Sequence, residues 1–381
     1  MNRLSDLNIS NQNLVIRVDM NVPIEDGVVT DNTRILACMP TIKFALKSNA
    51  KILLVTHLGR PKEGTFDKNF SLKPVATEVS KILDHEVDLI NDLDSTKIFN
   101  GSSDIQILEN IRFFEGEKSN CNKLGKSLSS LGDIYVFDAF GTSHREQSST
   151  YSAIVNSNLS CAGLLLEKEI DSLTKALNES QNPYTAIIGG AKVSTKLELI
   201  KNINSKADHI IVGGGIANTF LKAAGHEIGI SLCEESMVGI AKELLNDGKI
   251  ILPDTVITSK TFEGEDIKEK HISEVKKNEM ILDQFLNDEI DNAISSSNTI
   301  LWNGPLGVFE NKSFKEGTEQ LSNAIAKSNA FSIAGGGETL SAINKFINKD
   351  DVSYCSTGGG AFLEFMEGKD LPSIAALKAK I

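Results

Sequence analysis

Positive charge is in deficit: 39 Lys and Arg stand against 51 Asp and Glu, a net charge of −12. That argues against nucleic acid or an anionic membrane surface as a partner. Apolar runs are short, and none approaches the roughly 20 residues that span a bilayer. The start, "MNRLSDLNIS", has no apolar segment, so no secretory signal is expected. Five cysteines (Cys38, Cys121, Cys161, Cys233, Cys355) form no CxxC pair. They read as small apolar residues of a reducing, cytoplasmic compartment. There is no Walker A loop and no G-x-G-x-x-G after a strand, which weakens a dinucleotide reading. Pro/Ser-rich linkers, heptads and low-complexity tracts are missing too.

What is present is a regular alternation. Short β-branched runs, "NLVIRVD", "AKILLVTH", "DIQILEN" and "DIYVFDAF", read as buried parallel strands. Amphipathic stretches such as "RILACMPTIKFALKSN" separate them. The second half repeats the style with "YTAIIGG", "DHIIVGGG", "NTILWNG", "FSIAGGG" and "VSYCSTGGG". The pattern predicts an α/β protein with parallel sheets covered on both faces. At 381 residues, two domains are favoured over one. The segment "GLLLEKEIDSLTKALN" (163–178) predicts a helix joining them.

The halves end their strands differently, and ligands of open α/β sheets bind at those ends. In the second half the strands run into glycines. Glycine lets the backbone come close to a bound group, and a following helix offers free N–H groups to an anion. The stretch "YTAIIGGAKVSTKLELI" adds Lys192 and Lys196, which share a helix face if the helix begins near Lys192. A solvated surface is the ordinary alternative for two such lysines. Three further glycine turns at one sheet edge favour a nucleotide site. Glu338 in "GGGETL" is then a helix cap or a magnesium contact, and Glu310 a ribose acceptor or a solvated carboxylate.

In the first half, "RVDMNVP", "THLGRP", "LENIRFF" and "DAFGTSHREQSST" deliver Asp19, Asn21, His57, Arg60, Arg112, His144 and Arg145 to one rim, with Arg34 nearby. Guanidinium matches carboxylate and phosphate oxygens. A single surface arginine is usually a salt-bridge partner. Four at equivalent topological positions suggest a pocket for a small polyanion. Two anions facing each other across a cleft imply phosphoryl transfer, which needs positioning and charge neutralisation above all.

These stretches, with "LENIRFFEGE", "GGAKVSTK", "GGGIANTF", "LWNGPLGVFE", "SIAGGGETL" and "STGGGAFLEFMEGKDLP", run in family order from about 14 to 372. The sequence resembles the phosphoglycerate kinases, which exchange a phosphoryl group between 1,3-bisphosphoglycerate and ADP, giving 3-phosphoglycerate and ATP in glycolysis. The resemblance implies a phosphotransferase with a carboxyl group as acceptor, acting by direct in-line transfer after domain closure. It implies two doubly wound parallel-sheet, Rossmann-like domains joined by a hinge helix. Residues 1–165 would bind 3-phosphoglycerate, with 366–381 packing back on them, and 166–365 would bind nucleotide. Asp19, Asn21, Arg34, His57, Leu58, Gly59, Arg60, Arg112 and Arg145 would hold the phosphoglycerate. Lys196, Gly214, Gly215, Glu310, Gly336, Gly337, Glu338 and Thr339 would hold ATP or ADP. Arg34, Lys192 and Lys196 would be catalytic, Mg2+ would meet Glu338, and the protein would be a monomer. The family usually has Asp where this chain has Glu338, and the extra methylene moves the carboxylate outward by roughly one carbon–carbon bond. A Ser follows "LP" near the C-terminus where the family often has Gly. A dehydrogenase would need a dinucleotide fingerprint, a catalytically dead sensor would lose Arg34, Lys192 or Lys196, and a scaffold would not need the arginines.

Overall fold

Apolar β-branched runs become buried strands because each can lose its side chains into helices on both sheet faces. The computed structural model describes residues 1–94 and 96–380. Ser95 and Ile381, the last residue of the expected returning segment, lie outside the described residues. The chain forms two compact units, Met1–Asp171 with Asp370–Ile381, and Ser172–Lys369. The helix Leu164–Asn178 carries the chain from the first unit into the second.

The first unit is built on a six-stranded sheet. Its spatial order is Val87–Ile90, Ile105–Leu108, Lys51–Val55, Asn13–Val18, Ile134–Asp138, Ser160–Ala162, and all pairings are parallel. Asn13–Val18 sits centrally and pairs with strands that follow it on either side, so the topological switch point falls beside it. The helix Thr33–Lys47 covers one face with Ile35, Met39 and Ile42 and tolerates Pro40 inside it. Its start is fixed by the Asp31 carboxylate, which accepts from the backbone N–H of Thr33 at 2.9 Å and from its hydroxyl at 2.6 Å. Arg34 therefore projects from a defined first turn. The chain ends in the helix Pro372–Lys378, which returns to this unit with Ile374 and Leu377 buried. Ser373 N donates to Ser143 O at 3.1 Å, and Lys380 Nζ to Ser157 O at 2.8 Å.

The second unit repeats the plan. Its six strands run Ile250–Ile251, His209–Gly213, Tyr184–Gly189, Thr299–Asn303, Phe331–Ala334, Tyr354–Cys355, again all parallel. All five strand ends that the sequence marks with glycine lie on this sheet. Its core holds the single tryptophan, Trp302, fully buried, with its indole N–H donating to Gly304 O at 3.0 Å. An antiparallel sheet of Lys268–His271, Thr255–Ser259 and Met280–Gln284 is added to the unit. No glycine signal marked it in the sequence. Among the described residues no helix is long and apolar enough to cross a membrane.

Candidate active site

At the carboxyl edge of the first sheet, the strand Asn13–Val18 runs into Asp19 and Asn21. Asp19 Oδ2 lies 2.9 Å from Arg34 Nη1. Asn21 accepts from Gly59 N at 2.9 Å, tying the first strand's exit to the Leu58–Gly59 turn. Leu58 is fixed in turn by Asn110, whose side chain accepts from Leu58 N at 3.2 Å and donates to Leu58 O at 2.8 Å. Gly59 has φ +59°, and a Cβ there would strike the Phe70 ring at 2.3 Å, so only glycine suits this turn. Arg112 Nη1 donates to Gly59 O, while its Nε, buried, has no hydrogen-bond partner among the described residues.

The electrostatics show the arginines converging. Burial, then the charges of Arg17, Arg112, Arg145 and Arg34, hold the His57 imidazole well below the usual histidine range. It is therefore neutral. Burial, then the charges of Arg145 and Arg17, with a smaller push from Arg60, lower the Arg112 guanidinium to about 10. So many cations held together call for an anion. Arg17 was missed at the level of sequence. It is 1 % exposed beneath this edge, its Nη2 3.4 Å from His57 Nδ1. Its signal was a lone arginine inside an otherwise apolar strand.

In the second unit the expected helix face of two lysines is not formed. The helix is Leu197–Asn204, and Lys196 precedes it. Residues 192–196 make a turn instead, closed by Thr195 Oγ1 donating to Lys192 O at 2.8 Å and Lys196 N donating to Val193 O at 3.0 Å. Hydroxyl and carbonyl satisfy each other locally, and Val193 is buried, so the helix starts late. Lys192 is exposed and lines neither cavity described below. Lys196 folds back under the sheet edge, donating to Gly189 O and to Asn303 O, the latter at 3.1 Å. Burial, partly opposed by the charge of Glu338, lowers its ammonium to about 8.

The glycine turns interlock. Ile216 N donates to Gly190 O at 3.0 Å and Gly214 N to Leu306 O at 2.9 Å. A Cβ on Gly189 would lie 1.9 Å from Pro305 O, and one on Gly215 would lie 2.3 Å from Ala191 O. Between these turns and the antiparallel sheet is a cavity of about 590 Å³. Gly214, Gly215, Glu310 and Glu338 line it. So do Ile230, Leu232 and Phe262, apolar side chains more than half exposed. Such a wall suits a flat apolar ring. A second cavity, about 230 Å³, is lined by Lys196, Asn303, Gly336, Gly337, Glu338 and Thr339. Thr339 Oγ1 accepts from Gly304 N at 2.8 Å and donates to Gly335 O at 2.9 Å, clamping two turns together. The segment Met280–Gln284 was also missed. It forms part of the larger cavity's wall, and burial pushes its Asp283 up to about 7.

A parallel sheet edged with arginines, and a second edged with glycine turns and a half-buried lysine, are the arrangement expected of a kinase of two α/β units. The comparisons agree. A family model described as phosphoglycerate kinase matches residues 4–369. The chain is 47% identical over 381 residues to the phosphoglycerate kinase of Vibrio campbellii, covering 99% of this chain and 98% of that one. It is 48% identical over 389 residues to that of Francisella philomiragia, with the same coverage. The phosphoglycerate kinase structure from Coxiella burnetii matches with a TM-score of 0.93 at 44% identity, covering 99% of each chain. That from Pyrococcus horikoshii matches at 0.83 and 32%, covering 100% of this chain and 99% of that one. The chain belongs to the phosphoglycerate kinase family and is a glycolytic phosphotransferase.

Proposed function

We propose that the first unit binds 3-phosphoglycerate or 1,3-bisphosphoglycerate at its arginine edge, and that the second binds ATP or ADP among its glycine turns. The observation that carries this reading is the convergence of Arg17, Arg34, Arg112 and Arg145 on one neutral histidine, His57. Asp19 and Asn21 orient the basic edge through Arg34 and Gly59. The apolar wall of the larger cavity takes the base, Glu310 at its mouth the ribose, and Lys196 with the 336–339 turn the phosphates. Transfer is direct and in line, from nucleotide to the phosphoglycerate carboxylate or back. Such chemistry depends on charge neutralisation and alignment rather than on a covalent catalyst. Turnover requires the two units to close on their ligands, because each supplies one reactant. Lys192 acts there only after moving from its exposed turn.

Glu338 fits a magnesium ion. It is an exposed carboxylate in the first turn of Gly337–Phe346, lining the small cavity beside Lys196. Among the described residues no group of three or more His, Cys, Asp or Glu could hold a metal. A single carboxylate beside phosphates and water is how magnesium commonly binds. When bound, the ion neutralises charge on the nucleotide phosphates. The protein works as a monomer in the cytoplasm, without nucleic acid or membrane. A coupled assay with 3-phosphoglycerate, ATP and magnesium tests the reading. Turnover that saturates in both substrates is expected, and none with purified, folded protein overturns it.

A further inference from the structure

Glu117 lies just beyond the 3₁₀ turn Ile111–Phe113 that carries Arg112, and it is 1 % exposed. Both of its oxygens are engaged by one residue. Ser149 Oγ donates to Oε1 at 2.5 Å, and Ser149 N donates to Oε2 at 2.9 Å. The same Ser149 Oγ accepts from Arg17 Nε at 2.9 Å. Tyr135 steadies Ser149 from the other side, its hydroxyl donating to Ser149 O at 2.6 Å. A continuous chain therefore runs from a buried carboxylate, through one hydroxyl, to the guanidinium that faces His57.

The chain carries charge as well as geometry. Burial pushes the Glu117 carboxyl up. The charge of Arg17, the hydrogen bonds from Ser149 and the charge of Arg112 pull it down. Reciprocally, Glu117 raises Arg112 against the surrounding arginines. A carboxylate buried at the base of a cationic cluster costs desolvation. It has a use where the cluster must release its anion as well as bind it. A phosphoglycerate carries about three negative charges, two of them on its phosphate. Five guanidiniums with a single further carboxylate, Asp19, paired to one of them would favour tight binding over release.

We propose that Glu117 is a positioning residue of the basic edge: through Ser149 it fixes Arg17, and its charge sets how tightly that edge holds phosphoglycerate. This rests on the reading that the arginine edge is the phosphoglycerate site. Glu117→Gln removes the charge and keeps one acceptor oxygen, enough for one of the two Ser149 donors. Its affinity for 3-phosphoglycerate, and for inorganic phosphate as a probe, rises about three- to tenfold. KM for 3-phosphoglycerate falls while kcat is not raised, because ground and transition states are bound more tightly alike. A role in folding alone would lower the active fraction and leave KM unchanged. Ser149→Ala leaves the charge and cuts the link to Arg17. It raises KM for 3-phosphoglycerate several-fold and leaves KM for ATP unchanged.

Calorimetric titration and steady-state kinetics on the full chain decide it. An unchanged or raised KM in folded Glu117→Gln overturns the charge-setting role. If that variant does not fold, Ser149→Ala carries the test, and an unchanged KM there overturns the proposal. Arg112→Ala separates the two levels. If it binds 3-phosphoglycerate as well as the parent, the edge is not the phosphoglycerate site, and the underlying reading fails first.

Discussion

Arg34 Nη1 lies 2.9 Å from Asp19 Oδ2, with 41% of the arginine side chain exposed and 11% of the aspartate's. The carboxylate is mostly enclosed and aims one face of the guanidinium, leaving the other open to solvent and to an incoming oxyanion. Arg34→Ala removes the cation and the ion pair that aims it, leaving Asp19 to offset part of the remaining positive charge. The expected loss in kcat/KM is 10²- to 10³-fold or more, the scale of about 3–4 kcal/mol typical of one oriented charge stabiliser. Arg34→Lys restores little, because an ammonium cannot bridge Asp19 and a ligand with a planar fork. Steady-state kinetics on both variants check this, and near-parental kcat/KM in Arg34→Ala would remove the residue from the mechanism.

Lys196 links activity and stability with opposite signs. Its ammonium is lowered from 10.5 to about 8 by burial. Below about pH 8 the lysine is charged in both the folded and unfolded chains, so the folded state bears the whole desolvation cost. That cost is roughly 3 kcal/mol, partly offset by the hydrogen bonds to Gly189 O and Asn303 O. Between pH 8 and 10.5 the folded lysine is neutral while the unfolded one still holds its proton, so parental stability rises there. Lys196→Met is expected to abolish turnover yet stabilise the unliganded protein by about 1–2 kcal/mol at pH 7. The difference shrinks as pH rises through 8. Denaturant melts from pH 6 to 10 measure it, and a variant less stable than the parent at pH 7 contradicts the argument.

Glu338 tests the metal reading. Glu338→Asp is expected to retain activity with an altered magnesium dependence, since the shorter side chain changes how an octahedral ion is reached. Glu338→Ala raises the magnesium concentration needed for half-maximal rate and weakens nucleotide binding. Magnesium titrations of rate, with nucleotide affinity measured in parallel, decide it. If Glu338→Ala leaves both unchanged, the carboxylate serves the helix start alone.

The glycines divide into those that packing requires and those that a ligand requires. Gly189 belongs to the first group, with Pro305 O 1.9 Å from the position of an added Cβ. Gly189→Ala should lower Tm markedly, because a backbone oxygen cannot step aside cheaply. Gly337 has open space there, with nothing within 4 Å. Gly337→Ala should leave Tm unchanged or slightly raised while raising KM for ATP, because the added methyl enters the small cavity beside Lys196. A raised Tm with an unchanged KM would mean that phosphate does not come close to this turn.

The architecture was readable because strand and helix periodicities differ and the strand ends carried their own chemistry. The runs "NLVIRVD" and "YTAIIGG" lie in the strands Asn13–Val18 and Tyr184–Gly189, and the joining helix is Leu164–Asn178. The start of the 197–204 helix was not readable, because whether Thr195 closes a turn or extends a helix depends on Val193 finding a core to enter. Arg17 was hidden by its strand, where an arginine inside an apolar run gives no hint of its partners. Glu117 and Ser149 are 32 residues apart, so their pairing belongs to the tertiary fold alone. The sheet of residues 255–284 lacked glycine marks because it meets the cavity with side chains, Met280 and Leu282 among them, and not with bare backbone.

The returning helix Pro372–Lys378 sets an order of events during synthesis. Ser172–Lys369 is a contiguous unit whose every strand is synthesised before that helix. The unit begun first therefore waits for its last piece, while the unit begun second has everything it needs. Nascent chains are usually thought to fold in the order in which they emerge. Here the arginine edge is completed last, under a helix whose Ser373 reaches Ser143, next to His144 and Arg145. A chain released short of residue 372 would hold every strand of the glycine-edged unit and lack the last helix of the arginine-edged one.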